Sequence, residues 1–243
     1  MNRLTKSALK KLEILLCFEH GDFHPTSTVA AALEATTLTF IVFACLGTKQ
    51  GKEELRLDLN ETIFMKRFRR RAEKLFQEFA AANLPATLTI ILPDLEPRRT
   101  WGWNVPQEEL SGLCQLMIDD ATPQLPQGWS AVLWSELEER AEAASEYAQA
   151  LEWGRTSAPP LLVRGEQLFF RELSERHPDI LIKGDPETLA RRQIAAYAHE
   201  GRVLEKLFPT GILLQTDTPI ERKDAMFMQL RSDLLAIAHP FMR

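Results

Sequence analysis

The sequence predicts an α/β fold, a mainly parallel β-sheet with helices on both faces. Three observations carry that expectation. Short apolar, β-branched runs at residues 37–45, 86–92 and 212–216 are bounded by turn-forming residues, the pattern of strands buried on both faces. Longer stretches between them place apolar residues at spacings of three and four, the helical period. Strand and helix alternate along the chain, as βαβ units require.

Composition allows such a fold. The chain has 243 residues, 45% hydrophobic and 26% charged, enough for one large core or two small ones. It reads as a single α/β domain, with a helical segment over residues 1–36 and the body over 37–243. Only 11 Gly, 14 Pro and 3 Cys exclude collagen-like, disordered and disulfide-scaffold classes. A net charge of −5 argues against general nucleic-acid coating and leaves room for one local basic face. Cys17, Cys45 and Cys114 are odd in number and contain no C-x-x-C pair, so a reducing cytoplasm is expected. Cys17, His20 and His24 lie close together but lack a fourth ligand, and Gly21 and Pro25 interrupt any helix that would align them; no metal is expected. The longest apolar window, residues 29–47, contains Glu34 and several threonines, which favours a short helix and a buried strand over a membrane span.

The elements follow in order. Residues 37–45 form a strand ending at Leu46-Gly47-Thr48. Asn60 is placed to cap a helix whose Phe64, Phe68, Ala72, Leu75 and Phe79 share one face. Asn83-Leu84-Pro85 stops it, and residues 86–92 form a second strand running into Pro93-Asp94. A helix is expected over 107–119 and a third strand over 130–134. Ser135 and Glu138 have capping-box spacing, opening an acidic helix through about Trp153. Ala158-Pro159-Pro160 breaks the chain; residues 161–163 suit either structure, and 166–175 is helical. Asp185 and Pro186 are the N-cap and first residue of a long helix to Leu207. Residues 212–216 are a strand, and 236–238 a candidate last one. The architecture is Rossmann-like. Ligands of such sheets bind beyond the carboxyl ends of the strands, so the residues after each strand matter most.

Several constellations stand there. Gly47, Lys49, Gln50, Gly51 and Lys52 could let backbone N–H and ammonium groups approach an anion, or form a plain turn. Asp94, Glu96, Arg98 and Arg99 precede Trp101-Gly102-Trp103, a combination able to hold a charged amino acid beside an aromatic wall. Tyr197 and Glu200 share a helix face with Gln193 and Leu204 and could orient an amine or move protons. Cys45 sits at a strand's carboxyl end with Lys49 nearby to favour a thiolate; a small core residue is its plainer reading. Lys66, Arg70 and Lys74 repeat at i, i+4 as a positive ridge, suited to phosphates or to a solvated face.

Phe43-Ala-Cys-Leu-Gly-Thr-Lys49, the following helix and Pro85-Ala-Thr-Leu-Thr-Ile-Ile-Leu-Pro-Asp94 are similar in order and spacing to the isonitrile synthase family. Ala190-Arg-Arg-Gln-Ile-Ala-Ala-Tyr-Ala-His-Glu-Gly201 and Ile212-Leu-Leu-Gln-Thr-Asp-Thr-Pro219 resemble its late helix and strand. The chain departs from the family at Leu92-Pro-Asp-Leu95, in place of Ser-Asp-Gly, and at Gln215-Thr-Asp-Thr-Pro219, in place of a Ser-Ile-His-Pro ending. The resemblance implies an enzyme that modifies the amino group of an amino acid with a sugar phosphate and no cofactor. Asp94, Tyr197 and Glu200 would hold the amino acid. Lys49, Lys52 or Arg98 would hold the phosphate, with Asp217 and Lys223 after the late strand also in reach. The total length, and Tyr197 with Glu200, also resemble cyclodipeptide synthases, which have a Rossmann-like domain and use aminoacyl-tRNA. That resemblance places Cys45 or Thr48 near the nucleophile position and implies tRNA on the Lys66, Arg70, Lys74 ridge. A non-catalytic partner-binding protein on the same fold is the third expectation. None of the three involves a membrane.

Overall fold

The computed structural model describes residues 37–44, 63–102, 104–176 and 184–214. Four strands are described: β1 (Leu38–Phe43), β2 (Ala86–Leu92), β3 (Trp129–Leu133) and β4 (Ile212–Leu214). They form one parallel sheet in the order β3-β2-β1-β4. Leu38 pairs with Ala86, Phe40 with Ile212 and Leu88 with Trp129. Between the strands lie α1 (Ile63–Ala81), α2 (Glu96–Arg99), α3 (Gln107–Ala121), α4 (Trp134–Arg140), α5 (Glu146–Ser157), α6 (Pro160–Arg176) and α7 (Pro186–Leu207). The strand order advances from β1 to β3 and then returns across β1 to β4. Such a reversal sends the later helices to the opposite face of the sheet.

Strand alternation sorts the side chains accordingly. Leu38, Phe40 and Val42 of β1 meet Ala72, Leu75 and Phe79 of α1 and Cys114 and Ile118 of α3. Phe40 stacks on Phe79 with ring centroids 5.4 Å apart, and Phe76 meets Trp129 edge-on at 5.3 Å. Burial pushes the Cys114 thiol up to about 12, with Asp94 adding to the effect, so this cysteine is an inert core residue. On the other face, Ile41, Ile91 and Leu213 pack on Trp134 and Leu137 of α4 and on Val203 and Leu204 of α7. A third apolar cluster joins α6 and α7 through Leu162, Val163, Phe170, Leu189 and Ile194.

The expected strands at 86–92 and within 37–45 and 212–216 are present, and Asp185 caps α7 by accepting from the Glu187 and Thr188 N–H groups, each at 3.0 Å. Two expectations are corrected. The acidic helix is not continuous to Trp153: it breaks after Arg140, with Glu142 at φ 53°. The Ser135–Glu138 capping box is not made. Trp134 already begins α4, and the backbone N–H and hydroxyl of Ser135 donate to Asp94 instead. Residues 161–163 belong to α6, which Pro160 opens.

Two glycines allow close approach. A Cβ on Gly154 of α5 would lie 2.7 Å from the Arg191 carbonyl oxygen and 2.8 Å from the Ala195 Cβ of α7. One on Gly211 would lie 2.7 Å from Ile41 Cδ1, where the chain enters β4. No described helix is long and apolar enough to cross a membrane. The expected helix over 1–36, the Cys17, His20 and His24 group, the Asn60 cap and the candidate strand at 236–238 lie outside the described residues.

Candidate functional site

The chain leaving β2 turns at Pro93-Asp94 into α2, and the chain leaving β3 enters α4 directly. Both turns lie at the carboxyl edge of the sheet. Asp94 is fully buried. Its Oδ1 accepts from the Ser135 N–H at 3.0 Å. Its Oδ2 accepts from Ser135 Oγ at 2.8 Å, Ser111 Oγ at 2.7 Å and Gln107 Nε2 at 3.4 Å. Three of these donors converge on Oδ2 and one reaches Oδ1, which keeps acceptor capacity. Asp94 therefore ties β2, α3 and the start of α4 together.

Beside it lies a buried polar cluster built from α2, α4, α5 and α7. Glu138, 2% exposed, accepts from both guanidinium nitrogens of Arg99, from Trp134 Nε1 at 3.1 Å and shares a hydrogen bond of 2.9 Å with His199 Nε2. Burial alone would raise the Glu138 carboxyl; hydrogen bonds from His199 and Arg99 outweigh it and hold the group below the usual carboxylate range. The Arg99 guanidinium also lies 4.1 Å from the centre of the Tyr147 ring, a cation–π contact. The Tyr147 ring is 5.6 Å from that of His199. Burial raises the Tyr147 phenol to about 12, so it is protonated. Gln193 donates to Glu96 at 2.8 Å.

Glu200, only 7% exposed, completes the cluster. Burial, then the charges of Glu96 and Glu138, push its carboxyl well above the ordinary value, and Arg99 opposes them. Glu96, Glu138 and Glu200 thus share the field of Arg99, whose guanidinium hydrogen-bonds to Glu138.

The structure brings some sequence-selected residues together and separates others. Glu200 is in the cluster. Tyr197 is half-buried and packs against the third apolar cluster, as do Trp101, Trp153 and Phe169; Tyr147 lies within electrostatic reach of Glu200. Asp94 is buried in its own network of serines and Gln107. Arg98 is exposed while Arg99 turns inward. Arg70 and Lys74 are exposed on α1, which also carries Lys66, and Arg69 is drawn to Glu73 and to the Gln124 carbonyl. Cys45, Lys49, Lys52, Asp217 and Lys223 lie outside the described residues.

Sequence reasoning passed over Tyr147 and His199 and read Glu138 as a helix cap. One signal existed. Positions 193, 199 and 200 of α7 carry Gln, His and Glu, yet apolar Ile194, Ala195, Ala196, Val203 and Leu204 surround them on most of the helix. A helix apolar nearly all round is buried, and its polar members need partners. Among the described residues, no group of three or more His, Cys, Asp and Glu is placed to hold a metal ion.

Fold and site together define a doubly wound α/β protein with an acid-rich polar cluster beside the carboxyl ends of β2 and β3. No protein-family model, curated protein or solved structure matches the chain.

Proposed function

We propose that the chain is a biosynthetic enzyme that modifies the α-amino group of an amino acid, with the cluster around Glu200 as the ammonium site. One observation carries this reading. Glu200 is buried beside Glu96 and Glu138, and their charges disfavour its own. A substrate ammonium relieves that repulsion and gains charge-assisted hydrogen bonds, roughly 1.5–3 kcal/mol each. Asp94, whose side-chain hydrogen bonds among the described residues all go to α3 and α4, acts in this reading by holding α4 and Glu138 in place, and the amine falls to Glu200 and Glu96. Tyr147 and Arg99 wall the site. The similarity to isonitrile synthases supplies the co-substrate class, a sugar phosphate, for which Lys49, Lys52 and Arg98 are the candidate cations.

Calorimetric titration of the full chain with the proteinogenic amino acids tests the site. At least one is expected to bind, and Glu200→Gln to abolish that binding. Incubating the bound amino acid with sugar phosphates then tests the chemistry. An isonitrile product gains one carbon and loses two hydrogens at nitrogen, which mass spectrometry reads directly. Unchanged affinity in Glu200→Gln refutes the site.

A second reading, an aminoacyl-tRNA-dependent transferase, draws on the exposure of Arg70 and Lys74. It requires tRNA binding that falls steeply with salt and that is lost when Lys66, Arg70 and Lys74 are changed to Glu together.

A further inference from the structure

We propose that His199 is the proton acceptor of this site, its Nε2–H fixed by Glu138 and its Nδ1 lone pair presented to the substrate amine. The assignment rests on the amine-binding reading above and adds a reacting group to it. Arg99 and the Trp134 indole nitrogen can only donate hydrogen bonds, and both Glu138 oxygens accept from them. Glu138 is thereby an ionised acceptor. The 2.9 Å contact from His199 Nε2 to Glu138 Oε1 must then be an N–H donated by the ring. A neutral imidazole holding its proton on Nε2 carries a lone pair on Nδ1.

That lone pair is the second observation. His199 is 1% exposed, and Nδ1 is buried with no hydrogen-bond partner among the described residues. The neighbouring Tyr147 hydroxyl is buried and without such a partner as well. Two orphaned polar atoms on adjacent rings are costly to maintain, and a site that receives a polar substrate gives them a partner. The charged and titratable groups around the imidazole are Glu138 from α4, Arg99 from α2, Tyr147 and Glu146 from α5, and Glu200, next in sequence on α7.

The step is a single proton transfer. An N–H bond of the substrate ammonium breaks, its electron pair stays on the amine nitrogen, and an N–H bond forms at Nδ1. The imidazolium is stabilised by ionised Glu138, and the freed amine becomes a nucleophile. Glu138, Arg99 and Trp134 are positioning residues.

Side-chain 15N NMR of the labelled full chain tests this, with His199→Gln identifying the His199 signals among the 5 histidines. At neutral pH the free protein is expected to show Nε2 protonated and Nδ1 bare. Adding the amino acid that binds in calorimetry should shift the Nδ1 resonance, as the bare nitrogen accepts a hydrogen bond from the ammonium. In the product assay, His199→Gln should slow turnover by about 10²–10⁴-fold, the usual share of a general base. An Nδ1–H in the free protein, whether as the other neutral tautomer or as an imidazolium, or an Nδ1 resonance that does not move when the amino acid binds, overturns the assignment. If no amino acid binds, the reading it rests on fails, and the tautomer still decides whether His199 is an open base.

Discussion

The two faces of the sheet are covered by helices of opposite character. Under α1 and α3 the side chains are aromatic and aliphatic, with Phe40, Phe76, Phe79 and Trp129 in mutual contact. Under α4 and α7 the apolar layer of Ile41, Ile91 and Leu213 gives way towards the sheet's carboxyl edge to Glu138, His199 and Glu200. The first face needs only volume and hydrophobicity. The second must satisfy or neutralise each buried charge, which is expensive unless the charge is paired. The aromatic face is therefore where stability is concentrated, and the polar face is where stability is traded for chemistry.

Substitutions can break that comparison. Phe79→Ala, in the aromatic face, should cost about 3–5 kcal/mol in urea unfolding and leave amino-acid binding intact. Arg99→Ala strips Glu138 of its cation. A broken buried pair costs about 3–5 kcal/mol, and the partial exposure of Arg99 puts this one at the lower end. The double change Arg99→Met with Glu138→Leu should recover most of that loss while amino-acid binding is lost. If the double variant is as unstable as Arg99→Ala, the ion pair is itself a net stabiliser and the trade is refuted.

Asp94→Asn should lose about 1–3 kcal/mol, because a new amide donor would face hydroxyl and N–H donors. Glu200→Gln should act in the opposite sense. A carboxyl whose folded-state pKa lies above its unfolded value binds more protons folded than unfolded, so stability falls as pH rises from the ordinary glutamate value through the raised one. Glu200→Gln should remove that slope and be more stable than the parent protein at alkaline pH, less so in acid. Unfolding curves of the two that run parallel at every pH would show that Glu200 is not the strained group. Arg70→Glu, on exposed α1, should change stability by no more than about 0.5 kcal/mol.

The elements that local chemistry dictates were legible in the sequence. β2 is bounded by Pro85 and Pro93, and α7 by its Asp185-Pro186 start; each signal lies within a few residues of its effect. The break between α4 and α5 was not legible. Ser135 and Glu138 carry the local spacing of a cap, but their partners are Asp94, 41 residues away, and His199, 61 residues away. Tertiary acceptors outcompeted the neighbour. In the candidate site, Glu200 could be selected because it stands three residues from Tyr197 on one helix face. Tyr147 could not, because its role depends on the corner that turns α5 back against α7.

That corner makes Gly154 a remote control on the cluster. Tyr147 and Gly154 lie two helical turns apart on α5, and Gly154 touches the backbone of α7. The missing side chain works like a shim of zero thickness. A methyl group there would pry α5 from α7 at one end, and the rigid helix would carry part of that tilt to the Tyr147 ring beside His199. The spacing of the buried rings is thus set a full helical pitch or more from the chemistry, by an atom the sequence leaves out.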